Sequence, residues 1–210
     1  MNETVATVFL VDDDESFLTS VARLFRASGL LVKPFSSAAD FLAQLPPEAA
    51  GCVVSDLQMP GMSGIELQEA LAKSKNPLPI VFLTGQGDIP ISVKAMRHGA
   101  EDFLTKRAPK EELIAAVNRA LERDARDRKV RIRRRELSAR FETLTPRERE
   151  VLSHVLGGEL NKQIAADLGI DERSVKRHRT NLMQKLDVHS VAQLIAFALR
   201  EGLIDPAAEL

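Results

Sequence analysis

The sequence predicts an α/β protein in which a doubly wound, five-stranded parallel sheet is joined by a long helix to a small all-α helix-turn-helix domain. Three observations predict this fold class. Short apolar runs alternate with amphipathic stretches over the first 120 residues, a charged segment without glycine or proline follows, and the last ~65 residues show only helical patterns. Helices on both faces would bury the strands, which explains why the apolar runs are nearly continuous.

Hydrophobic periodicity and capping residues bound the elements of the first region. The predicted strands are Thr7–Val11, Leu31–Phe35, Cys52–Ser55, Ile80–Leu83 and Asp102–Leu104. The predicted helices between them are Ser16–Ala27, Ala38–Gln44, Ile65–Lys73 and Ile91–His98. The doubly wound strand order 2-1-3-4-5 would make strands 1 and 3 neighbours.

The next helix starts at Pro109 and shows no stop before about Arg140, which allows ~30 residues and ~45 Å. Its apolar stripe ends after Leu121, where charged side chains take over. We therefore expect a solvated connector helix rather than a coiled coil. The predicted domains are 1–121, a helical linker over 122–142, and 143–210.

The last domain opens with a capping box, in which Thr145 fits the N-cap and Glu148 the third helical position. Asn161 and Asp171 are candidate N-caps of two later helices, and Gly169 permits the turn between them. The predicted helices are Pro146–Leu156, Lys162–Leu168, Glu172–Leu186 and Val191–Glu201.

Composition narrows the class of protein. A hydrophobic content of 44% argues for a globular chain. The apolar runs are too short to cross a bilayer, and no basic region precedes an apolar one at the N-terminus, so we expect no membrane segment and no export signal. The single cysteine, Cys52, excludes an intramolecular disulfide and fits a reducing cytoplasm.

Five polar side chains follow predicted strands on one edge of the sheet: Asp12 and Asp13, Asp56, Thr84 and Lys106. The carboxyl ends of parallel strands gather at this edge, where doubly wound sheets bind ligands. Carboxylates so close together raise one another's pKa, and an oxygen-rich cluster suits Mg²⁺. A helix cap would explain any single aspartate, but it does not explain the whole set.

Phosphoryl transfer is the chemistry that this set supports. Bound Mg²⁺ would neutralise an incoming phosphoryl group and hold it in line with the Asp56 carboxylate, which is the nucleophile. The ammonium of Lys106 and the hydroxyl of Thr84 would contact the transferred oxygens.

Helical spacing sorts the helix Glu172–Leu186 into two faces. One face is apolar, and the other combines phosphate binders with side chains able to read base edges: Arg173, Lys176, Arg177, Thr180 and Gln184. No acid occurs between Arg173 and Lys185, although five basic residues do. A solvated basic face is the ordinary alternative, but the capped helix and turn glycine before it favour binding in a DNA groove.

Residues 1–120 resemble the receiver domain of bacterial two-component response regulators. The resemblance rests on VDDD from residue 11, D-x-x-MPGMSG from residue 56, TG from residue 84 and DFLTK from residue 102. It implies that Asp56 is the phospho-acceptor. Asp13, Asp56 and the Gln58 carbonyl would be ligands of Mg²⁺, and Asp12 would act mainly through water.

The same resemblance implies that Thr84 and Phe103 move on activation, and that a homodimer forms through the fourth helix and fifth strand. The family usually has proline after the lysine, often with a cis peptide bond, where this chain has Arg107. A cis bond costs ~3–4 kcal/mol before a non-proline residue. We therefore expect a trans bond and a reshaped turn before Pro109, with two positions open for Lys106: displaced from the pocket, or still directed at Asp56.

The strings LTPREREVL, NKQIA and SVKRHRxxLMxKL resemble LuxR-type DNA-binding domains over 144–205, and the whole arrangement resembles the NarL/FixJ regulators. By this resemblance Lys176, Arg177 and Thr180 would face bases, while Lys162 and Arg179 would reach the DNA backbone. It implies a cytoplasmic regulator, not an enzyme in the usual sense, that a sensor histidine kinase phosphorylates and that binds promoter DNA.

Two other interpretations remain open. A flavodoxin-like cofactor enzyme would need a loop rich in glycine, serine or threonine after the first strand, whereas Asp13, Asp14 and Glu15 would repel a phosphate there. A regulator that acts without phosphorylation, through protein contacts or constitutive DNA binding, would keep both domains and a vestigial pocket.

Overall fold

The computed structural model describes residues 5–85 and 89–200, without the side chains of 89–91 and 200. The first unit, Met1–Lys129, contains the strands β1 (Thr7–Val11), β2 (Leu31–Phe35), β3 (Gly51–Asp56), β4 (Ile80–Thr84) and β5 (Asp102–Thr105). They form one parallel sheet in the order β2-β1-β3-β4-β5. The predicted fold class and strand order are confirmed.

Helices cover both faces of this sheet. They are α1 (Glu15–Ala27), α2 (Ala38–Gln44), α3 (Gly64–Ala72), α4 (Ile89–Arg97) and α5 (Lys110–Glu142). On one face Leu10 of β1 packs with Phe25 of α1 and Val117 of α5. On the other, Phe9 of β1 packs with Phe41 of α2. Alternate side chains of one strand thus enter two cores, as a buried parallel strand requires.

Helix α5 is continuous over 33 residues, but its solvated part begins later than expected. Asp124 is only 1% exposed, and its Oδ2 accepts a hydrogen bond of 2.9 Å from the Gly51 amide. Gly51 has φ +137°, and a Cβ there would lie 1.8 Å from the Thr7 carbonyl oxygen. The expectation that charged side chains after Leu121 face solvent is therefore wrong at Asp124, because a backbone donor lies opposite this position.

The second unit, Val130–Leu210, contains the end of α5 and the helices α6 (Pro146–Leu156), α7 (Asn161–Leu168), α8 (Glu172–Leu186) and α9 (Val191–Arg200). The capping box of Thr145 and Glu148 is confirmed, as is the Asp171 cap of α8. Gly169 has φ +64° in the turn between α7 and α8. A single core holds these helices together, with Val151, Ile164, Val175, Leu182 and Phe197 among its buried members.

The predicted cap at Asn161 is wrong. The N-cap of α7 is Leu160, whose amide donates to the Gln163 side chain at 2.8 Å. The Asn161 side chain instead accepts a hydrogen bond of 2.6 Å from the Arg179 guanidinium of α8. A contact between two helices therefore takes the amide that local spacing assigned to the end of one helix.

Candidate functional site

The sheet brings the predicted acidic residues together. Asp12 follows β1, and Asp56 ends the neighbouring strand β3. Asp13 stands beside Asp12, and one carboxylate oxygen from each of the three residues lies within 4.8 Å of the others. Asp12 and Asp56 are buried, whereas Asp13 is exposed, so the cluster has one open side.

Lys106 lies in this cluster. Its Nζ is 2.6 Å from Asp12 Oδ2 and donates a hydrogen bond of 2.8 Å to Asp56 Oδ2. No peptide bond among the described residues is cis, so the trans bond expected before Arg107 is confirmed. Of the two positions open for Lys106, the structure shows the one directed at Asp56. The Lys106 amide donates to the Thr84 carbonyl at 2.8 Å and extends the pairing of β4 and β5.

The charges of the cluster are only partly compensated. Burial raises the pKa of Asp12, and the adjacent Lys106 ammonium and a hydrogen bond from the Asp14 amide offset this effect only in part. Burial lowers the pKa of Lys106, but its bonds to Asp12 and Asp56 outweigh burial and leave that pKa raised. The contact between Nζ and Asp12 Oδ2 is short but poorly directed, so this buried oxygen has a charged neighbour and no well-formed hydrogen bond among the described residues.

These features fit a hard divalent cation. Three carboxylates face one ammonium, the Asp12 oxygen lacks a well-directed donor, and exposed Asp13 leaves room for water. Mg²⁺ prefers carboxylate oxygens as protein ligands and usually keeps several of its bound waters. Gln58, also predicted as a ligand, is exposed, and its amide lies 3.4 Å from Asp56 Oδ1.

The MPGMSG segment holds Asp56 in place. Oδ1 of Asp56 accepts a hydrogen bond of 2.6 Å from the Leu57 amide. The next helix begins with a capping box between Ser63 and Glu66. A Cβ on Gly64 would lie 2.4 Å from the Asp56 carbonyl oxygen, so only glycine lets α3 start this close to β3. This steric reason for the last glycine of the motif was missing from the sequence interpretation.

The two predicted switch residues lie on neighbouring strands. Thr84 is buried at the end of β4, and its backbone pairs with Thr105 in β5. Phe103 is half-buried, and its ring centroid is 6.2 Å from that of Phe82. Phe103 therefore packs at the margin of the core.

Four of the six predicted DNA-binding side chains share one face of α8. Val175, Leu182 and Leu186 are buried in the domain core. The side chains on the other face are exposed: Arg173, Lys176, Arg177 and Thr180. Lys162 is exposed on α7, while Arg179 is half-buried and bonded to Asn161. The sorting into two faces is confirmed, but Arg179 has a protein partner.

One network of the second unit was not anticipated. Glu148 is buried, and its Oε2 accepts hydrogen bonds from the Thr145 amide at 2.8 Å and from Lys185 at 2.7 Å. Lys185 also donates to the Thr143 carbonyl at 3.0 Å. Lys185 therefore connects α8 to the start of α6, and it does not belong to the exposed basic face of α8. The capping box was visible in the sequence, but its lysine partner 37 residues later was not.

Family comparisons cover both units. Residues 8–118 match the response regulator receiver domain, and residues 142–198 match the luxR family of bacterial regulatory proteins. The chain is 43% identical over 195 residues to the response regulator protein TmoT of Ectopseudomonas mendocina, covering 93% of this chain and 89% of that protein. It is 36% identical over 202 residues to the transcriptional regulatory protein FixJ of Bradyrhizobium diazoefficiens, and the match covers 96% of this chain and 98% of FixJ.

Solved structures agree over nearly the whole chain. The response regulator StyR superposes with a TM-score of 0.85 at 46% identity and covers 93% of this chain and 99% of its own. Full-length FixJ from B. japonicum superposes with a TM-score of 0.56 at 35% identity, and the match covers 97% of this chain and 100% of the FixJ chain. Taken with the acidic pocket and the exposed basic face of α8, these likenesses show that the chain belongs to the NarL/FixJ family of two-component response regulators, transcription regulators with a receiver domain and a LuxR-type DNA-binding domain.

Proposed function

We propose that a partner sensor histidine kinase phosphorylates this regulator on Asp56 and that the phosphorylated chain binds promoter DNA and alters transcription. The arrangement around Asp56 supports the acceptor assignment most strongly. Its carboxylate ends β3 beside Asp12 and Asp13 and accepts a hydrogen bond of 2.8 Å from Lys106. A carboxylate nucleophile, a cation for the phosphoryl oxygens and a set of metal ligands thus converge at one point.

In the proposed reaction an Asp56 carboxylate oxygen attacks the phosphorus of the kinase phosphohistidine. The new P–O bond forms as the P–N bond breaks, and the departing imidazole takes up a proton. The Lys106 ammonium pairs with the phosphoryl oxygens, and the Thr84 hydroxyl donates to one of them. When bound by Asp12, Asp13, Asp56 and the Gln58 carbonyl, Mg²⁺ supplies positive charge against the phosphoryl oxygens.

Activation changes the surface near the pocket. Phosphorylation adds about −1.5 to −2 charges, which attract the Thr84 hydroxyl and allow Phe103 to change its packing. The proposed result is a homodimer through α4 and β5. On α4 the side chains of Val93 and Met96 are 45% and 46% exposed, which supplies apolar surface for such an interface.

The proposed DNA contacts divide into two kinds. Arg173, Lys176, Arg177 and Thr180 would enter the groove, whereas Lys162 and Arg179 would meet the backbone. Arg177→Ala should relax sequence preference and cost ~1–3 kcal/mol, while Lys162→Ala should weaken all sequences alike and reduce the salt slope by about one. A uniform loss of affinity across sequences for both variants would show that the division is wrong.

The proposed location is the cytoplasm, where the kinase domain and the promoter both lie. Within the described ranges the chain has no helix with the length and apolarity that a membrane span requires. We assign no enzymatic turnover on other molecules, because the phosphoryl chemistry acts on the chain itself.

The alternative of a regulator with a vestigial pocket drew its support from the replacement of the usual proline by Arg107. The structure places Lys106 against Asp12 and Asp56 despite this replacement, which removes that support. Phosphorylation therefore remains the better proposal for the pocket.

The acceptor is tested by intact-mass measurement after incubation of the full chain with acetyl phosphate and Mg²⁺. The wild-type chain should gain one phosphoryl group, and Asp56→Asn should gain none while keeping its circular dichroism spectrum. Asp40→Asn, which removes an exposed acid of the same domain, should gain the group as the wild type does. Equal labelling of Asp56→Asn would move the acceptor to Asp12 or Asp13.

A further inference from the structure

The long helix α5 carries two kinds of basic side chain. Several pair with acids in the described structure, namely Arg119 with Asp102, Arg123 with Glu101, Arg128 with Asp124 and Arg140 with Asp187. Four others, Arg126, Lys129, Arg133 and Arg134, are exposed and have no side-chain hydrogen bond or ion pair with any described residue. Basic residues outnumber acidic ones over residues 126–134, where Asp127 is the one acid, so the segment keeps an excess of positive charge.

The spacing of these four cations resembles that of the charges on nucleic acid. Residues 126–134 span ~12 Å of helix at ~1.5 Å per residue. Four charges over that length correspond to about one every 3–4 Å, and one DNA strand carries a phosphate every ~3.4 Å of its axis. This charge density favours a polyanion as the partner, and for DNA bound at α8 only the cations that belong to the DNA-binding unit are assigned as contacts.

Arg133 and Arg134 belong to the DNA-binding unit, Val130–Leu210. One turn after Arg133, Leu137 packs against the core of this unit, and Phe141 does so one turn later. Arg140 donates to Asp187 Oδ2 at 3.0 Å and to the Leu186 carbonyl at 3.3 Å, at the end of α8. The end of α5 is thereby fixed to the C-terminal end of α8, and Arg133 and Leu137, four residues apart, lie on the same side of α5.

We propose that Arg133 and Arg134 form a phosphate-binding surface that extends the DNA contact of the LuxR-type domain beyond its helix-turn-helix. This inference rests on the DNA binding proposed above. Because the arginines would meet phosphates and not base edges, they add affinity without sequence preference. Neither side chain has a partner in the described structure, so DNA binding does not require an ion pair to be broken first.

The test is the salt dependence of binding to a mixed-sequence DNA duplex, measured with the full chain in acetyl phosphate and Mg²⁺. The double variant Arg133→Ala/Arg134→Ala should reduce the slope of log K against log salt by about 1.8, since each phosphate contact contributes about 0.9. The matched control is Arg126→Ala/Lys129→Ala, which removes the same charge from exposed, unpaired positions on the same helix but in the other unit. Its slope should equal that of the wild type.

Each of the other outcomes overturns the inference in a distinguishable way. An unchanged slope for the Arg133 and Arg134 variant, with its circular dichroism intact, would leave DNA binding standing and assign these arginines to another partner, such as an acidic protein surface. Equal slope losses in both double variants would show a general attraction to α5 and no specific surface. Failure of the wild-type chain to bind DNA would overturn the proposed function itself.

Discussion

Asp12 of the receiver domain and Glu148 of the DNA-binding domain are both buried carboxylates beside a lysine, yet their pKa values are shifted in opposite directions. Asp12 Oδ2 lies 2.6 Å from Lys106 Nζ, and Glu148 accepts a hydrogen bond of 2.7 Å from Lys185. Burial raises the pKa of Asp12, and its partners do not cancel the effect. Burial also acts to raise the pKa of Glu148, but bonds from Lys185 and Thr145 outweigh it and lower that pKa.

The difference lies in how many acids share one cation. Lys106 contacts both Asp12 and Asp56, whereas Lys185 has Glu148 as its carboxylate partner. Glu148 also accepts a hydrogen bond from the Thr145 amide. Uncompensated buried charge costs stability, and perturbed carboxylates of this kind cluster at functional sites. The receiver pocket is thus prepared for a further cation, while the Glu148 network is already complete and holds the fold.

Removal of the lysine should give the largest effects and separate the two networks. Lys185→Ala should destabilise the DNA-binding domain by about 3 kcal/mol, because Glu148 stays buried without a counter-charge. Lys106→Ala should destabilise the receiver domain, but Mg²⁺ at a hundred times its Kd should restore up to ~2.7 kcal/mol. Hydrogen exchange of peptides from each domain, with and without Mg²⁺, measures both effects.

The exposed Lys73→Ala is the matched control for both lysine variants and should change neither domain. Rescue of Lys185→Ala by Mg²⁺, or no rescue of Lys106→Ala, would remove the distinction between a prepared site and a completed network.

Neutralising each carboxylate with its isosteric amide should give effects of opposite sign. Glu148→Gln should destabilise its domain by about 1–3 kcal/mol, because two part-buried hydrogen bonds lose their charged acceptor. Asp12→Asn should stabilise the receiver domain without Mg²⁺ by about 1 kcal/mol, because a poorly compensated buried charge is removed. Urea unfolding followed by circular dichroism suits a chain without tryptophan or tyrosine. Destabilisation by both amides would contradict the comparison.

The pH dependence of domain stability should have opposite sign at the two sites, and its size should be smaller than the effects of the substitutions above. The lowered pKa of Glu148 means that its stabilisation is present above the unfolded value of about 4.3 and is lost as pH falls through the folded value. The raised pKa of Asp12 means that the receiver domain loses stability as pH rises from about 3.9 through the folded value. The stability difference between wild type and each amide variant, measured against pH, isolates each group; slopes of equal sign would refute the assignment.

The sequence predicts the local features of both domains well. The observed strand ends lie within one residue of those expected, and α8 has the expected bounds, because apolar runs, caps and turn glycines act over a few residues. The convergence of Asp12, Asp13 and Asp56 followed from the strand order alone.

Contacts between distant segments were not predictable in the same way. Asn161 was expected to cap α7, but Arg179, 18 residues later, takes its side chain. Asp124 was expected in solvent, but it bonds the Gly51 amide 73 residues earlier. The position of Lys106 was open, and a hydrogen bond from its amide to the Thr84 carbonyl fixes its backbone beside the pocket. In each case a partner distant in sequence determines the position of the residue, and no local sequence pattern identifies that partner.

DNA affinity of the full chain with and without acetyl phosphate and Mg²⁺ tests the central claim most directly. The target is a duplex selected from a random-sequence library by the treated wild-type chain. We expect treatment to raise the affinity of the wild-type chain at least about fivefold, within the usual range of allosteric coupling, and to leave the affinity of Asp56→Asn unchanged. Equal wild-type affinity before and after treatment, with Asp56 shown by mass to be phosphorylated, would contradict the coupling of pocket to DNA binding.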